Sequence, residues 1–520
     1  MRHSNHSCLL PALSVLLVTF ALVIAHSVRR RNKQYRLSYP PGPPTWLGIK
    51  NLLYVPKGPK HIEYARWSRK YHSDVVSFSV LGSRTVVVNS AKAVKAIFEQ
   101  RSSIYSDRPH FEMLFLMGWD WSVGFMHYSD YWRDHRRLFQ THFRWGSIHR
   151  YYPVQQSLVR GLLKDFLKHP NDVFHLTKHY GATYPIKLAY GHDIDTDAEK
   201  YMQTEEQAVI MLGSVLFPGS VLLNVFPFLK HFPKWFPVVN GFKTYAEKSK
   251  VLTDMLLKGP FSTITTAMTS RPASPSLLNS LLQRKTDHGA ITEDEKLIRS
   301  FTANVHVAAA DTSMSALTSA ILALLLHPHV QARAQREIDE VVGRDRLPDF
   351  SDRPRLPFID AICREVLRWN VILPMAIAHA SVRDDVYDGY FIPKGSTVVG
   401  NVWAILHDPE TYPDPERFMP ERFITENGTL SDDDVPYAFG FGRRVCPGRY
   451  LAGASIWFFV ASILSVYNIV HAKDENGDDI PVDPKYVGDD VSHPMPFPCA
   501  VQPRDELAMK MIMEATVDTP

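Results

Sequence analysis

The strongest constraint on this chain is a run of ten residues in its C-terminal part. Residues 439–448 read Phe-Gly-Phe-Gly-Arg-Arg-Val-Cys-Pro-Gly, which fits the pattern F-x-x-G-x-R-x-C-x-G. A single cysteine, Cys446, is framed by glycines, an aromatic ring and an arginine, and no second cysteine is near. The thiolate is the form of cysteine that ligates a metal. A metal held by one protein sulfur must bring its remaining ligands with it, as iron does in a haem. A cysteine thiolate on haem iron pushes electron density onto the metal and favours O–O cleavage.

Each position in the run has a physical task. Gly442 and Gly448 allow left-handed backbone or close approach to a flat macrocycle. Phe439 can cover the sulfur and limit water, which tunes the iron. Arg444 offers charge-assisted hydrogen bonds to a haem propionate. A lone cysteine is usually a small buried hydrophobe, but the whole pattern outweighs that reading. A dinucleotide loop at Gly440-x-Gly442 fails, because no buried strand leads into it and the third glycine is misplaced. With these residues the chain resembles the cytochrome P450 family of haem-thiolate monooxygenases.

The 520 residues are 45% hydrophobic, ample for a large core. A net charge of +4 is too close to balance to argue for nucleic acid. Cys8, Cys363, Cys446 and Cys499 form no C-x-x-C pair, which excludes a disulfide framework or a Cys-only zinc site. Cys8 to Ala25 is a stretch of 18 residues without a charge, near the lower limit for spanning a bilayer. Arg29, Arg30, Arg31, Lys33 and Arg36 follow it and only Arg2 precedes it, so the body of the protein is expected on the cytoplasmic side. The dense charge after the apolar run favours an uncleaved anchor over a cleaved signal peptide. The expected organisation is a membrane anchor over 1–28, a basic and proline-rich linker over 29–47, and one haem-thiolate catalytic domain over 48–520. The resemblance implies a single-pass protein of the endoplasmic reticulum membrane.

Beyond the linker, Val75–Val88 reads as a hairpin broken at Leu81-Gly82. Leu297–Leu326 is the longest helical run, ended by His327-Pro328. Helices are also expected from about His329 to Val342 and from Pro357 onward. Strand signals return over Asp385–Asn401, with turns at Asp388-Gly389 and Lys394-Gly395. The fold class is mainly α with small β-sheets. The resemblance implies the cytochrome P450 fold, a triangular helical prism around haem, with an N-terminal transmembrane helix.

The long helix carries Ala308-Ala-Ala-Asp311-Thr312, and Asn304, Ala308, Asp311/Thr312 and Ser315 share one face. The resemblance makes this a slot where dioxygen fits beside the haem. Thr312 would hydrogen-bond it and Asp311 would relay protons. Ala309 stands where the family usually has glycine. Glu365-x-x-Arg368 places opposite charges one turn apart. The family pairs this motif with the arginine of a P-E-R-F segment, here Pro420-Glu421-Arg422-Phe423 rather than the overlapping Pro415-Glu416-Arg417-Phe418. That implies a structural role for Glu365, Arg368 and Arg422 in holding the cysteine loop. Trp132 and Arg136 share a helical face, and the resemblance sends both to the haem propionates. It makes His379 a second propionate contact, although Ala378 replaces the usual preceding proline.

Met113–Tyr128, Leu216–Pro237 and Val371–Ile377 read as walls of a lipophilic substrate pocket, and Leu216–Pro237 also as a bilayer contact. Arg133, Arg137, Arg443 and Arg449 read as a basic dock for an acidic electron donor. The implied cofactor is haem b with an axial cysteine thiolate. The resemblance implies electrons from NADPH through NADPH–cytochrome P450 reductase, with cytochrome b5 as an alternative second donor. Asp384–Gly395, Gly118-Trp-Asp and His493–Phe497 look most like fungal members, the group typified by O-methylsterigmatocystin oxidoreductase. Two other readings stand beside the monooxygenase: a haem-thiolate isomerase or dehydratase that uses no dioxygen, and a non-catalytic membrane-bound haem protein that binds ligands.

Overall fold

The computed structural model describes residues 37–44, 56 and 58–515, apart from 81, 192–193, 195–196, 216–221, 237–238, 270–273, 289–292 and 489. The membrane anchor expected over 1–28 lies outside the described residues. The chain divides into two compact units.

The first unit holds the N-terminal residues up to Pro109 together with Ala378–Asn401. Helix α1 (Lys60–Tyr71) precedes a hairpin of β1 (Val75–Val80) and β2 (Ser83–Val88), paired antiparallel with Val75 opposite Val88. Their valines are buried, which is what a β-branched run at this spacing favours. Strand β3 (His379–Ala380) and, after the small hairpin of β4 (Asp385–Tyr387) and β5 (Tyr390–Ile392), strand β6 (Thr397–Gly400) complete the sheet in the order β1-β2-β6-β3. Asp388 and Gly389 both take positive φ in the β4–β5 turn, as a two-residue hairpin requires. The proline-rich segment is not a free spacer. Ser77 of β1 donates its N–H to the Pro41 carbonyl (2.8 Å) and its hydroxyl to the Pro40 carbonyl (2.7 Å).

The second unit is helical. Its main helices are α2 (Asp130–Phe143), α3 (Tyr152–Lys168), α4 (Val173–Tyr190), α5 (Ala198–Gly213), α6 (Val239–Ala267), α7 (Glu293–Leu326), α8 (Pro328–Val341), α9 (Pro357–Trp369) and α10 (Arg449–Val466). Helices α8 and α9 both begin on proline, whose missing N–H costs nothing in a first turn. The short strands β7 (Tyr467–His471), β8 (Tyr486–Val487), β9 (His493–Pro494) and β10 (Cys499–Pro503) pair as β7–β10 and β8–β9. Helices α7 and α10 contain stretches long and apolar enough to cross a membrane, but 72% and 78% of those stretches are buried inside the protein, so they read as core helices. Helix α4 packs along α7. At Gly181 an added Cβ would lie 2.9 Å from the Met314 backbone, so the two helices meet almost backbone to backbone.

Candidate haem site

The site is assembled in the second unit, around the loop before α10. The Cys446 N–H donates to the Phe439 carbonyl at 2.8 Å and closes the loop. Gly440 (φ +83°) and Gly442 (φ +51°) sit in the left-handed region, where only glycine is unstrained. Gly448 keeps an ordinary φ of −86°, and the atom nearest its Cβ position is Cys446 Sγ at 3.9 Å. Left-handed backbone is therefore not its reason for being glycine.

Cys446 is half-buried. Burial pushes its thiol above the ordinary value, while the N–H groups of Gly448 and Arg449 and the guanidinium groups of Arg136 and Arg449 pull it down. Burial outweighs them, so the net shift is upward, and a bound metal would favour the thiolate. Arg136 reaches over from α2 and donates from Nη1 to the Val445 carbonyl at 2.7 Å. Its own pKa is lowered by burial, opposed by Cys446. Trp132, one turn earlier, is buried, and its Nε1–H has no hydrogen-bond partner. A buried donor left unmade is costly, and a propionate would satisfy it. Arg444 lies over the Trp132 ring, 4.2 Å from its centroid, and donates to the carbonyls of Met126 (2.9 Å) and Val123 (3.3 Å). These residues fit a haem: one half-buried thiol on a fastened loop, an unmet indole donor and two guanidinium groups.

Val123 links this loop to α7. Its N–H donates to Asn304 Oδ1 at 2.9 Å while its carbonyl accepts from Arg444. One turn beyond Asn304, Ala308 is exposed, and Val307, Ala309, Asp311, Thr312 and Ser313 are partly accessible between the buried stretches 300–306 and 314–325. The Thr312 hydroxyl donates back to the Ala308 carbonyl (2.9 Å), and Asp311 Oδ1 lies 3.0 Å from His493 Nε2 on β9. The expected stripe narrows here. Asn304 and Ser315 are buried and committed, Asn304 also to the Trp121 carbonyl (3.0 Å) and Ser315 to the Ser492 carbonyl.

Behind the loop, Arg368 makes a two-pronged pair with Glu365 (2.6 and 2.8 Å), and both side chains are fully buried. Arg422 Nε lies 3.2 Å from Glu365 Oε2, whereas Arg417 contributes only its carbonyl to the cluster. Arg364, which sequence reasoning passed over, donates to the carbonyls of Ser431 (2.8 Å) and Asp433 (2.7 Å) on the approach to the loop.

His379 belongs to the first unit. It is buried, donates from Nδ1 to the Tyr105 carbonyl (2.6 Å) and lies beside the Phe98 ring. In the 113–128 segment, Met113, Met117, Trp119 and Trp121 are core residues packed with Leu212, Phe242 and Ala303. The basic surface is partly neutralised, because Arg133 pairs with Asp130 and Arg137 with Asp134.

Comparison with known proteins agrees with this geometry. The family model described as cytochrome P450 matches residues 40–488. The chain belongs to the cytochrome P450 family. It is 38% identical over 507 residues to a cytochrome P450 monooxygenase of Armillaria gallica, covering 96% of this chain and 99% of the relative. It is 38% identical to one of Postia placenta, over 96% and 97% of the two chains. A tryptamine 4-monooxygenase of Psilocybe cyanescens is 34% identical, over 96% and 99%. This P450 is a haem-thiolate monooxygenase that takes electrons from a redox partner and oxidises a small molecule.

Proposed function

We propose that this P450 hydroxylates a lipophilic small molecule of fungal secondary metabolism, with Cys446 as the thiolate that would hold the haem. Haem supplies dioxygen binding and activation; the chain's own residues hold it, shield it and deliver protons. Trp132 and Arg136 would hold haem propionates, and Arg444 backs Trp132 from across its ring. Phe439, whose carbonyl accepts the Cys446 N–H, would cover the sulfur. Ala308 leaves room on α7, and the extra methyl of Ala309 narrows that groove. Thr312 and Asp311 carry protons to the reacting oxygen. Glu365, Arg368 and Arg422 hold the loop and touch no reactant.

The observation that carries this reading is the Val123 link between Asn304 and Arg444, which ties the accessible stretch of α7 to the cysteine loop. An indole-like aromatic amine is one substrate class to try, on the strength of the tryptamine 4-monooxygenase relative. Electrons come from NADPH through NADPH–cytochrome P450 reductase, docked where Arg443 and Arg449 remain, with cytochrome b5 as a second donor. Trp235 and Phe228 are 81% and 54% exposed, which suits a face against the bilayer of the endoplasmic reticulum. Reconstitution with the reductase and a panel of lipophilic aromatics tests the reading. Product that carries oxygen and requires NADPH supports it; conversion without NADPH or dioxygen favours an isomerase or dehydratase.

A further inference from the structure

Away from the cysteine loop, two histidines of the second unit meet end to end. His110 Nδ1 lies 3.4 Å from His127 Nε2, the ring centroids are 5.7 Å apart, and the ring planes differ by only 9°. The centroids are farther apart than the nitrogens by a full ring width, so the two nitrogens point straight at each other along one line. Rings placed this way share a proton and do not stack. Phe115 lies nearly parallel over both imidazoles, its centroid 4.7 Å from that of His110 and 6.4 Å from that of His127.

The far side of His110 is engaged as well. Its Nε2 lies 3.2 Å from Oε2 of the buried Glu112, and Glu112 Oε1 accepts from Lys230 Nζ at 2.9 Å. Lys230 belongs to the short helix Pro227–His231. A second tie runs beside this one, because the Met113 N–H donates to Asn224 Oδ1 at 3.0 Å. Desolvation pushes the Glu112 carboxyl up, but Lys230 and His110 outweigh it and hold the group below its ordinary value. Glu112 therefore stays charged in neutral and mildly acid solution. At the other end of this chain of contacts, Phe115 and His127 form part of the wall of a cavity of about 110 Å³, lined also by Leu114, Trp119, Phe125 and Met126. The titratable groups around the two imidazoles are Glu112, Lys230 and, on the cavity wall, Asp120.

We propose that His110 and His127 form a pH-sensitive latch that holds this cavity wall closed at neutral pH and releases it in acid. The Glu112 carboxylate accepts from His110 Nε2, so that nitrogen carries a hydrogen. One further proton lies between the facing nitrogens, donated either by His110 or by His127. The pair therefore holds together with one positive charge at most. When both rings become imidazolium, two N–H groups and two like charges face each other, and the contact breaks. Imidazoles change charge between about pH 5 and pH 8. Glu112 and Lys230 keep the His110 end fastened, so the His127 end, with the cavity wall it carries, is the part that moves. The latch is independent of the haem assignment.

The test is hydrogen exchange of the full-length protein, read by mass spectrometry on peptides from 110–127. Peptides from α10 serve as reference, and rates are corrected for the intrinsic effect of pH. Protection of 110–127 should fall about tenfold between pH 6.5 and pH 5.5, the factor that one excluded proton contributes over one pH unit, while α10 stays protected. His127→Gln keeps a polar side chain that cannot titrate, and its 110–127 protection should hold at both pH values. Wild-type protection that does not fall, a fall that α10 shares, or the same fall in His127→Gln overturns the proposal. If His127→Gln does not fold, His110→Gln decides by the same criterion.

Discussion

Asn304 and Arg444, 140 positions apart in sequence, meet on one residue: Asn304 Oδ1 accepts the Val123 N–H and Arg444 donates to the Val123 carbonyl. Asn304 also donates to the Trp121 carbonyl. Asn304→Ala would leave these buried backbone groups unmet, at about 1–3 kcal/mol. The expected result is a lowered unfolding midpoint together with a broadened haem Soret band, read by absorbance during denaturant titration. A variant as stable as the wild type, with an unaltered band, would contradict the link.

The two overlapping P-E-R-F segments make a matched pair of variants. Arg422→Ala removes a charged partner of Glu365 and should cost about 2 kcal/mol. Arg417→Ala should stay within about 0.5 kcal/mol, as for other exposed positions. Glu365→Ala should be worst, about 3–5 kcal/mol, because it strands a fully buried Arg368. Chemical denaturation of the three variants, with haem content at harvest, checks the order.

His306 on α7 is buried with neither ring nitrogen hydrogen-bonded, and burial lowers its pKa to about 4. The unfolded chain takes up the proton near the ordinary value of about 6.5, and the folded chain resists it. Stability is therefore full above pH 6.5 and is lost as pH falls from there toward 4. At pH 5 the loss is about 2 kcal/mol. His306→Leu should remove that slope, visible as midpoints that differ less between pH 7 and pH 5 than in the wild type.

Gly181→Ala tests the contact of α4 with α7. Its Cβ would sit 2.9 Å from the Met314 backbone, and two helix backbones cannot yield as a flexible side chain would. A cost of about 1–3 kcal/mol is expected. Met314 is two residues from Thr312, so peroxide leakage should rise as well; calorimetry and a peroxide assay read the two effects.

What the sequence made legible was whatever repeats at short range. The ten residues around Cys446, the shared face of Trp132 and Arg136, the one-turn spacing of Glu365 and Arg368, and the hairpin glycines are all local patterns, and each lies where its spacing puts it. The choice between Arg422 and Arg417 needed the family pattern, since both segments carry the same four letters. The contacts that fasten the site were not legible. Val123, Arg364 and His493 act across long separations through backbone groups or single charges, which leave no period to read. Beside the expected propionate role, Arg444 donates to two backbone carbonyls and lies over a tryptophan face, contacts set by the path of residues 123–126. Gly448 could not be separated from Gly442 in sequence, because the letter is the same and only the backbone angle differs.

The most direct measurement is the difference spectrum of the dithionite-reduced, carbon monoxide-bound protein beside Cys446→Ser. The account predicts a Soret band at the red-shifted position of a thiolate ligand in the wild type and its loss in the variant. A wild-type spectrum typical of histidine ligation, or a thiolate band that survives in Cys446→Ser, would contradict it.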